Sequence, residues 1–426
     1  MCESLLASAD QDGTIQIENK IPKTITLRES AARALLQSPV LSAFKIEKRV
    51  REARTLQLGL LPNPELEIIV EDVAGSGNFS GFDRSETTVQ LGQRIELGGK
   101  REARTHAGRV SEKLADWDYE AKRLDILSDV NKSFIEVLKA QHKVALTHKL
   151  IDLGKQFLNA VAERVKSGKV AAIEKTKAEV ALSTFKIEME KSKLELENSR
   201  RKLSATWGSS KPEFKSAEGD FFKISPIPLS EILLGKLSKT PYMERWKTEL
   251  EQRQANVDLE LSNRVPDLKL MGGVKRQEQT SDNAITFGIS IPLQLFNRNQ
   301  GAIARARSQL SRIQEERRAF EVEITQTFNE AYQALVFAHS QATAIKSELL
   351  PGARKAFEAV NEGYRFGKFG FLDALDSQKT LFRTRYLYLE ALAAYHKAAA
   401  EVNRLTGEPV FEQNDTRENS MTEIAK

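Results

Sequence analysis

The stretch Thr87-Thr88-Val89-Gln90-Leu91-Gly92-Gln93-Arg94-Ile95-Glu96-Leu97, closed by Gly98-Gly99 and running on from Lys100, decides the architecture. Val89, Leu91, Ile95 and Leu97 alternate with Gln90, Gly92, Arg94 and Glu96, the period-two pattern of a strand with one apolar and one polar face. Its length suits a tilted membrane strand between lipid and a polar lumen, and equally a half-buried sheet in water. Glu65–Val73 reads as the strand before it. Beyond Gly98-Gly99, where the backbone can turn sharply, Lys100–Lys166 contains no proline. A helix of that length extends roughly 100 Å.

The same order is written twice. Ser38-Pro39-Val40-Leu41 answers Thr240-Pro241-Tyr242-Met243, and Pro64-Glu65-Leu66-Glu67-Ile68 answers Pro266-Asp267-Leu268-Lys269-Leu270, both at an offset of 202. Ser167-Gly168-Lys169 answers Phe366-Gly367-Lys368, and Gly208 answers Gly407, both at 199. The register changes only between these blocks, at turns where insertions are tolerated. In the second copy Ile285, Phe287, Ile289, Ile291, Leu293 and Leu295 alternate with Ala284, Thr286, Gly288 and Ser290, and Gln300–Phe366 is the second long helix, with Pro351 its one proline. Each repeat therefore reads helix, strand, strand, very long helix, turn, helix. Val130, Phe134, Val137, Val144 and Ile151, and then Phe320, Ile324, Ala331, Leu335, Ala338, Ala342, Ile345 and Leu349, mark a coiled-coil seam along the two long helices. The organisation expected is an N-terminal extension and belt segment (1–26), repeat 1 (27–210), a belt linker (211–228), repeat 2 (229–408) and a flexible tail (409–426). Lys20–Leu27 and Lys211–Pro228 should lie outside the helices, because proline and extended β-branched residues interrupt helical periodicity there.

Composition narrows the function. The 426 residues are 40% hydrophobic and 29% charged, with 64 Lys+Arg against 59 Asp+Glu. The signs alternate within helices, as in Lys186-Ile187-Glu188-Met189-Glu190-Lys191, so there is no one-sign patch for nucleic acid. Five His and one Cys, scattered, show no metal-ligand spacing, and no nucleophile–base set or phosphate loop points to an enzyme; neither a cofactor nor a metal centre is expected. No apolar run is long enough for a membrane helix, so a membrane form must be a β-barrel. No secretory signal is visible at Met1–Asp10, and Cys2 is either an acylated lipoprotein cysteine or an incidental residue. Four strands cannot close a barrel, and open edges are not viable in lipid. The chain must then assemble cyclically, two copies giving eight strands and three giving twelve.

Leu61-Pro62-Asn63-Pro64-Glu65-Leu66, Gln93-Arg94-Ile95-Glu96-Leu97-Gly98-Gly99-Lys100-Arg101 and Ile291-Pro292-Leu293-Gln294-Leu295-Phe296-Asn297-Arg298-Asn299-Gln300-Gly301 resemble the TolC family of outer-membrane efflux proteins, in its cobalt–zinc–cadmium branch. The resemblance runs from about Leu27 to Pro409. It implies an α+β membrane protein, a homotrimer whose twelve-stranded barrel in the outer-membrane lipid continues as a long coiled-coil helical barrel across the periplasm. It also implies two partners, a periplasmic adaptor (membrane fusion protein) and an inner-membrane proton-driven transporter of the RND type. The function implied is a passive exit duct for heavy-metal cations; a duct for drugs or secreted proteins, or a periplasmic coiled-coil adaptor, are the alternatives. Tyr364 to Asp376 resembles the family's closing turn, which would put Asp373 and Asp376 around the narrowest aperture; a helix-start acid is the ordinary alternative for Asp373. The family's turn contact would join Glu174 to Tyr364, although its latch arginine corresponds to Phe369 here. Gly168, Lys169, Gly367 and Lys368 would form the tips that meet the adaptor.

Overall fold

The structure, a computed structural model, describes residues 23–408. Residues 1–22 of the N-terminal extension, Cys2 among them, and the tail 409–426 lie outside the described residues. A short strand β1 (Thr24–Thr26) leads into α1 (Leu27–Gln37) and α2 (Pro39–Leu58). Then come β2 (Glu65–Glu71), β3 (Glu86–Ile95), α3 (Lys100–Lys166) and α4 (Ala172–Ala205). After β4 (Ser216–Glu218) the second repeat gives α5 (Ser230–Leu237), α6 (Pro241–Ser262), β5 (Leu268–Gln277), β6 (Asp282–Ser290), α7 (Gln300–Ala344), α8 (Leu350–Arg365) and α9 (Phe371–Thr406). The single opening helix expected of each repeat is two. Pro39 and Pro241 occupy the first turn of α2 and α6, where a missing N–H costs little, and they push Ser38 and Thr240 into extended backbone.

The four long strands form one antiparallel sheet in the order β2-β3-β5-β6. Its register puts Ile68, Val89, Val274 and Ile285 in one row, and Leu66, Leu91, Gly272 and Phe287 in the next. Paired residues share a face, so this face is apolar, and it is bare: Ile285 is 89% exposed and Phe287 75%. The opposite face carries Glu67, Gln90, Gly273 and Thr286 in one row and Glu71, Glu86, Gln277 and Asp282 in another. The outer edges of β2 and β6 have no strand beside them among the described residues. Gly273 is required by contact, since a Cβ there would stand 2.3 Å from the Val89 carbonyl oxygen, whereas its neighbour Gly272 faces open space. Three strands end before the alternation does, and β3 stops at Ile95, two residues short of Leu97. β2 stops at Glu71 because Asp72 turns left-handed at φ 58. β6 stops at Ser290, ahead of Pro292, which has no N–H to give a ladder.

Below the sheet, α3 runs unbroken for 67 residues. Its counterpart is interrupted. Between α7 and α8 the residues Ile345–Leu349 form a π-turn. Pro351 lacks an N–H for the preceding turn and its ring would collide with a carbonyl there, and the wider turn accommodates both. The extra residue rotates the seam, so Leu349, expected inside it, is 51% exposed while Ile345 is buried. On α3 the seam departs from expectation below Val137. Val144 and Ile151 are half-buried, and Lys143, Thr147 and Gly154 face α4 instead. Lys143 reaches Glu195 (2.6 Å) and Glu188 (3.2 Å), and a Cβ at Gly154 would lie 3.0 Å from the Phe185 ring.

Val130, Phe134, Val137 and Leu138 of α3 meet Leu389 and Leu392 of α9 in the main core, each such side chain worth about 1.5–3 kcal/mol on burial. Ion pairs stitch α3 to α9, as in Lys397–Glu136 at 2.5 Å, and α3 to α6, as in Arg245–Asp118 at 2.6 Å. The described parts of the two belt segments meet each other: β1 pairs with β4 in parallel, and Gln141 of α3 holds both backbone groups of Ala217, at 2.6 and 2.9 Å. Among the described residues no helix is long and apolar enough to cross a membrane.

Candidate functional site at the hairpin tips

The helical body ends in two turns, and both are built by the same backbone device. Where α3 ends, Gly168 takes φ +70, its N–H donates to Val165 O (3.0 Å), and the Lys169 N–H donates to Arg164 O (2.9 Å). Where α8 ends, Gly367 takes φ +78, its N–H donates to Tyr364 O (3.1 Å), and the Lys368 N–H donates to Gly363 O (2.8 Å). A left-handed residue closing two such bonds satisfies the last carbonyls of a helix, and glycine does it without a Cβ penalty. Lys169 and Lys368 are consequently exposed at the tips.

The two tips pack on each other. Val161, Ala178, Tyr364, Phe371 and Ala374 form a small core of their own, and the Phe157 ring lies 5.2 Å from that of Tyr364 and 5.4 Å from that of Phe371. Arg164, at the last turn of α3, is the polar link. Its guanidinium donates to the Tyr364 carbonyl and sits 4.7 Å from the centre of the tyrosine ring. No motif in the sequence singles this arginine out. The only hint is that it occupies the position 199 residues before Gly363, so a long cation answers a vacant position in the other copy.

The expected bond between Glu174 and Tyr364 is not formed. The Tyr364 hydroxyl has no hydrogen-bond partner, and neither has Oε2 of Glu174 nor Nε of Arg164, although all three atoms are buried. Burial pushes the Tyr364 hydroxyl above its ordinary pKa; Arg164 opposes that shift and Glu174 adds to it. The arginine sits on the ring and carbonyl of Tyr364, and the hydroxyl and the carboxylate stay near each other without bonding. Phe369, at the position of the family's latch arginine, packs against the backbone of Gly363 instead, where a Cβ would meet its ring at 2.3 Å.

Asp373 and Asp376 are both exposed and share one open groove of about 500 Å³ between α8 and α9, with Val360, Phe369 and Thr380 among its walls. Asp373 also holds the local backbone, since its Oδ2 accepts the Gly370 N–H at 2.9 Å and caps α9. Phe366 (74% exposed) and Leu372 (62%) leave an apolar rim beside the acids. Among the described residues no cluster of His, Cys, Asp and Glu could hold a metal ion.

Comparison with known proteins fits this geometry. The family described as "Outer membrane efflux protein" matches residues 31–209 and again 236–408, one match per repeat. The cobalt-zinc-cadmium resistance protein CzcC of Cupriavidus metallidurans is 34% identical over 383 residues, covering 90% of each chain. The nickel-cobalt-cadmium resistance protein NccC of Alcaligenes xylosoxydans xylosoxydans is 21% identical over 291 residues, 68% of this chain and 65% of that one. Among solved structures, the Campylobacter jejuni CmeC outer membrane channel superposes with a TM-score of 0.76 at 17% identity, covering 98% of this chain and 96% of that one.

Proposed function

Since this chain belongs to the outer membrane efflux protein family, we propose that it works as a homotrimer, the exit duct of a tripartite pump that expels heavy-metal cations. That it is an outer-membrane efflux channel, with its helical part in the periplasm, follows from the family; the trimer, the partners and the cargo are the proposal. The observation that carries it is the sheet. Its apolar face is exposed along four strands and its edges at β2 and β6 are open. In hydrocarbon every backbone group must be paired, so β6 of one copy must meet β2 of the next. Three copies give twelve strands around the polar face, wide enough for an aqueous lumen, and they bring the helices into one tunnel. Heavy-metal cargo is supported by the likeness to the cobalt-zinc-cadmium resistance protein.

At the far end, the tips carrying Gly168, Lys169, Gly367 and Lys368 would meet a periplasmic adaptor, which couples the duct to an inner-membrane transporter of the RND type. Asp373 and Asp376 would line the closing aperture. Three copies place six carboxylates around one hole, and like charges in a narrow pore attract cations far more strongly than on an open surface. The duct needs no catalytic group, because the partner transporter does the work.

The test removes charge and keeps the cap. Asp373→Asn still offers an oxygen to Gly370, so the double variant Asp373→Asn, Asp376→Asn should form channels of ordinary stability. In planar bilayers its cation selectivity and its block by divalent ions should fall several-fold, while Glu358→Gln, higher on α8, changes either much less. Unchanged selectivity in the double variant places the aperture elsewhere.

A further inference from the structure

Where β6 gives way to α7, the second repeat holds a cavity of about 510 Å³ whose wall includes Arg264, Arg298, Arg307, Leu295 and Phe296 and no acidic residue. Neither Arg264 nor Arg307 has a side-chain hydrogen bond or ion pair among the described residues, and Arg298 makes only a 3.5 Å contact to the Leu295 carbonyl. By contrast, Arg51, Arg104, Arg245 and Arg404 each face a carboxylate. The two acids nearest Arg264 in sequence are both engaged elsewhere, Asp267 by Lys100 (2.5 Å) and Glu260 by Asn299 (2.7 Å) and Arg305 (3.7 Å). The first turn of α7 adds to the positive field. It has no side-chain cap and no acid, and Gln300, Ile303, Ala304 and Arg307 of its first turns form one wall.

The corresponding junction of the first repeat is different. Its cavity, about 670 Å³, contains Arg101 and Arg109 but also Glu102 and Asp258, so its charges are balanced. The imbalance belongs to repeat two alone.

Position supplies the second half of the argument. Ile291, Leu293 and Leu295 continue the odd-numbered row of Ile285, Phe287 and Ile289 past the end of β6, and they are 51%, 79% and 63% exposed; Phe296 is 90% exposed. Leu295 and Phe296 line the cavity. The cavity therefore lies beside this exposed apolar run, at the level where the sheet passes into the helices. Three uncompensated guanidinium groups beside a bare apolar skirt match an anion that carries hydrocarbon, and guanidinium suits phosphate in particular.

We propose that this cavity is a specific site for the phosphate of an anionic phospholipid in the periplasmic leaflet, its acyl chains lying along Ile291–Phe296. The proposal rests on the outer-membrane location and on no property of the tips. The full-length chain, purified in neutral detergent, is titrated with phosphatidylglycerol, phosphatidylcholine and inorganic phosphate, and bound lipid is counted by native mass spectrometry. Phosphatidylglycerol should bind at one per chain, favoured over phosphatidylcholine on the order of a hundredfold, since each basic residue near an anionic surface contributes about fivefold. Arg264→Gln, Arg298→Gln, Arg307→Gln together should remove that preference, the three lysine replacements should retain most of it, and Arg101→Gln with Arg109→Gln should leave it unchanged. Bilayer conductance of the glutamine variant should persist, which separates this site from the channel reading. Equal retention of the two lipids by the unaltered chain, or displacement of phosphatidylglycerol by millimolar phosphate, overturns the proposal. So does a glutamine variant that falls into monomers with its lipid count intact, because the cavity then belongs to a neighbouring copy.

Discussion

The two hairpin tips share a backbone and differ in nearly every side chain. At an offset of 199, Arg164 stands where Gly363 does, Val165 where Tyr364 does, Val170 where Phe369 does, Glu174 where Asp373 does and Lys177 where Asp376 does. Both close with a left-handed glycine and the same pair of bonds. One tip presents a cation that reaches across; the other presents the carbonyl and ring that receive it. Two identical tips could not do this, because a contact with a donor side and an acceptor side needs unlike partners. The duplication supplied the shape, and divergence within it supplied the grip.

Three changes test that comparison, in falling order of effect. Arg164→Ala removes a hydrogen bond from a charged donor and a cation over a ring, together about 2–4 kcal/mol. Amide exchange across 360–371 should accelerate, and single-channel leak should rise; unaltered protection would mean that the tips are held by their small apolar core alone. Gly363→Ala pushes a methyl into the Phe369 ring, an overpacking cost of about 1–2 kcal/mol. Adding Phe369→Ala should recover most of it in thermal unfolding, and a purely additive pair would place the strain in the backbone. Tyr364→Phe should change stability by less than about 0.5 kcal/mol, because the hydroxyl it removes has no partner. A fall of several degrees in Tm would show that the tyrosine does bond Glu174 in solution.

Much of this was legible in the residues. Gly98-Gly99 and the proline-free run behind them place α3 from Lys100 to Lys166, as observed, because a helix of that length is fixed by local signals at its ends. The strands were legible from alternation, though alternation alone overran them: Leu293 and Leu295 keep the period while Pro292 ends the ladder. Pro351 marks an interruption, but nothing nearby says that a π-turn absorbs it and rotates Leu349 outward. The turn glycines were legible because φ above zero selects them. Arg164 was not, because a contact spanning 200 residues leaves no local trace. Glu174 and Tyr364 were brought together by resemblance, and the structure puts them side by side without joining them.

The open strands at β2 and β6 also bear on inheritance. In the proposed ring each copy completes its neighbour's sheet, so a chain that folds its helices but spoils its strands would still enter the ring and ruin it. Gly273→Val, which forces a side chain against the Val89 carbonyl, is such a chain. Produced beside the normal protein it would withdraw healthy copies from every assembly it joins, and the allele would behave as a dominant one. A null allele, contributing no chain at all, would be recessive.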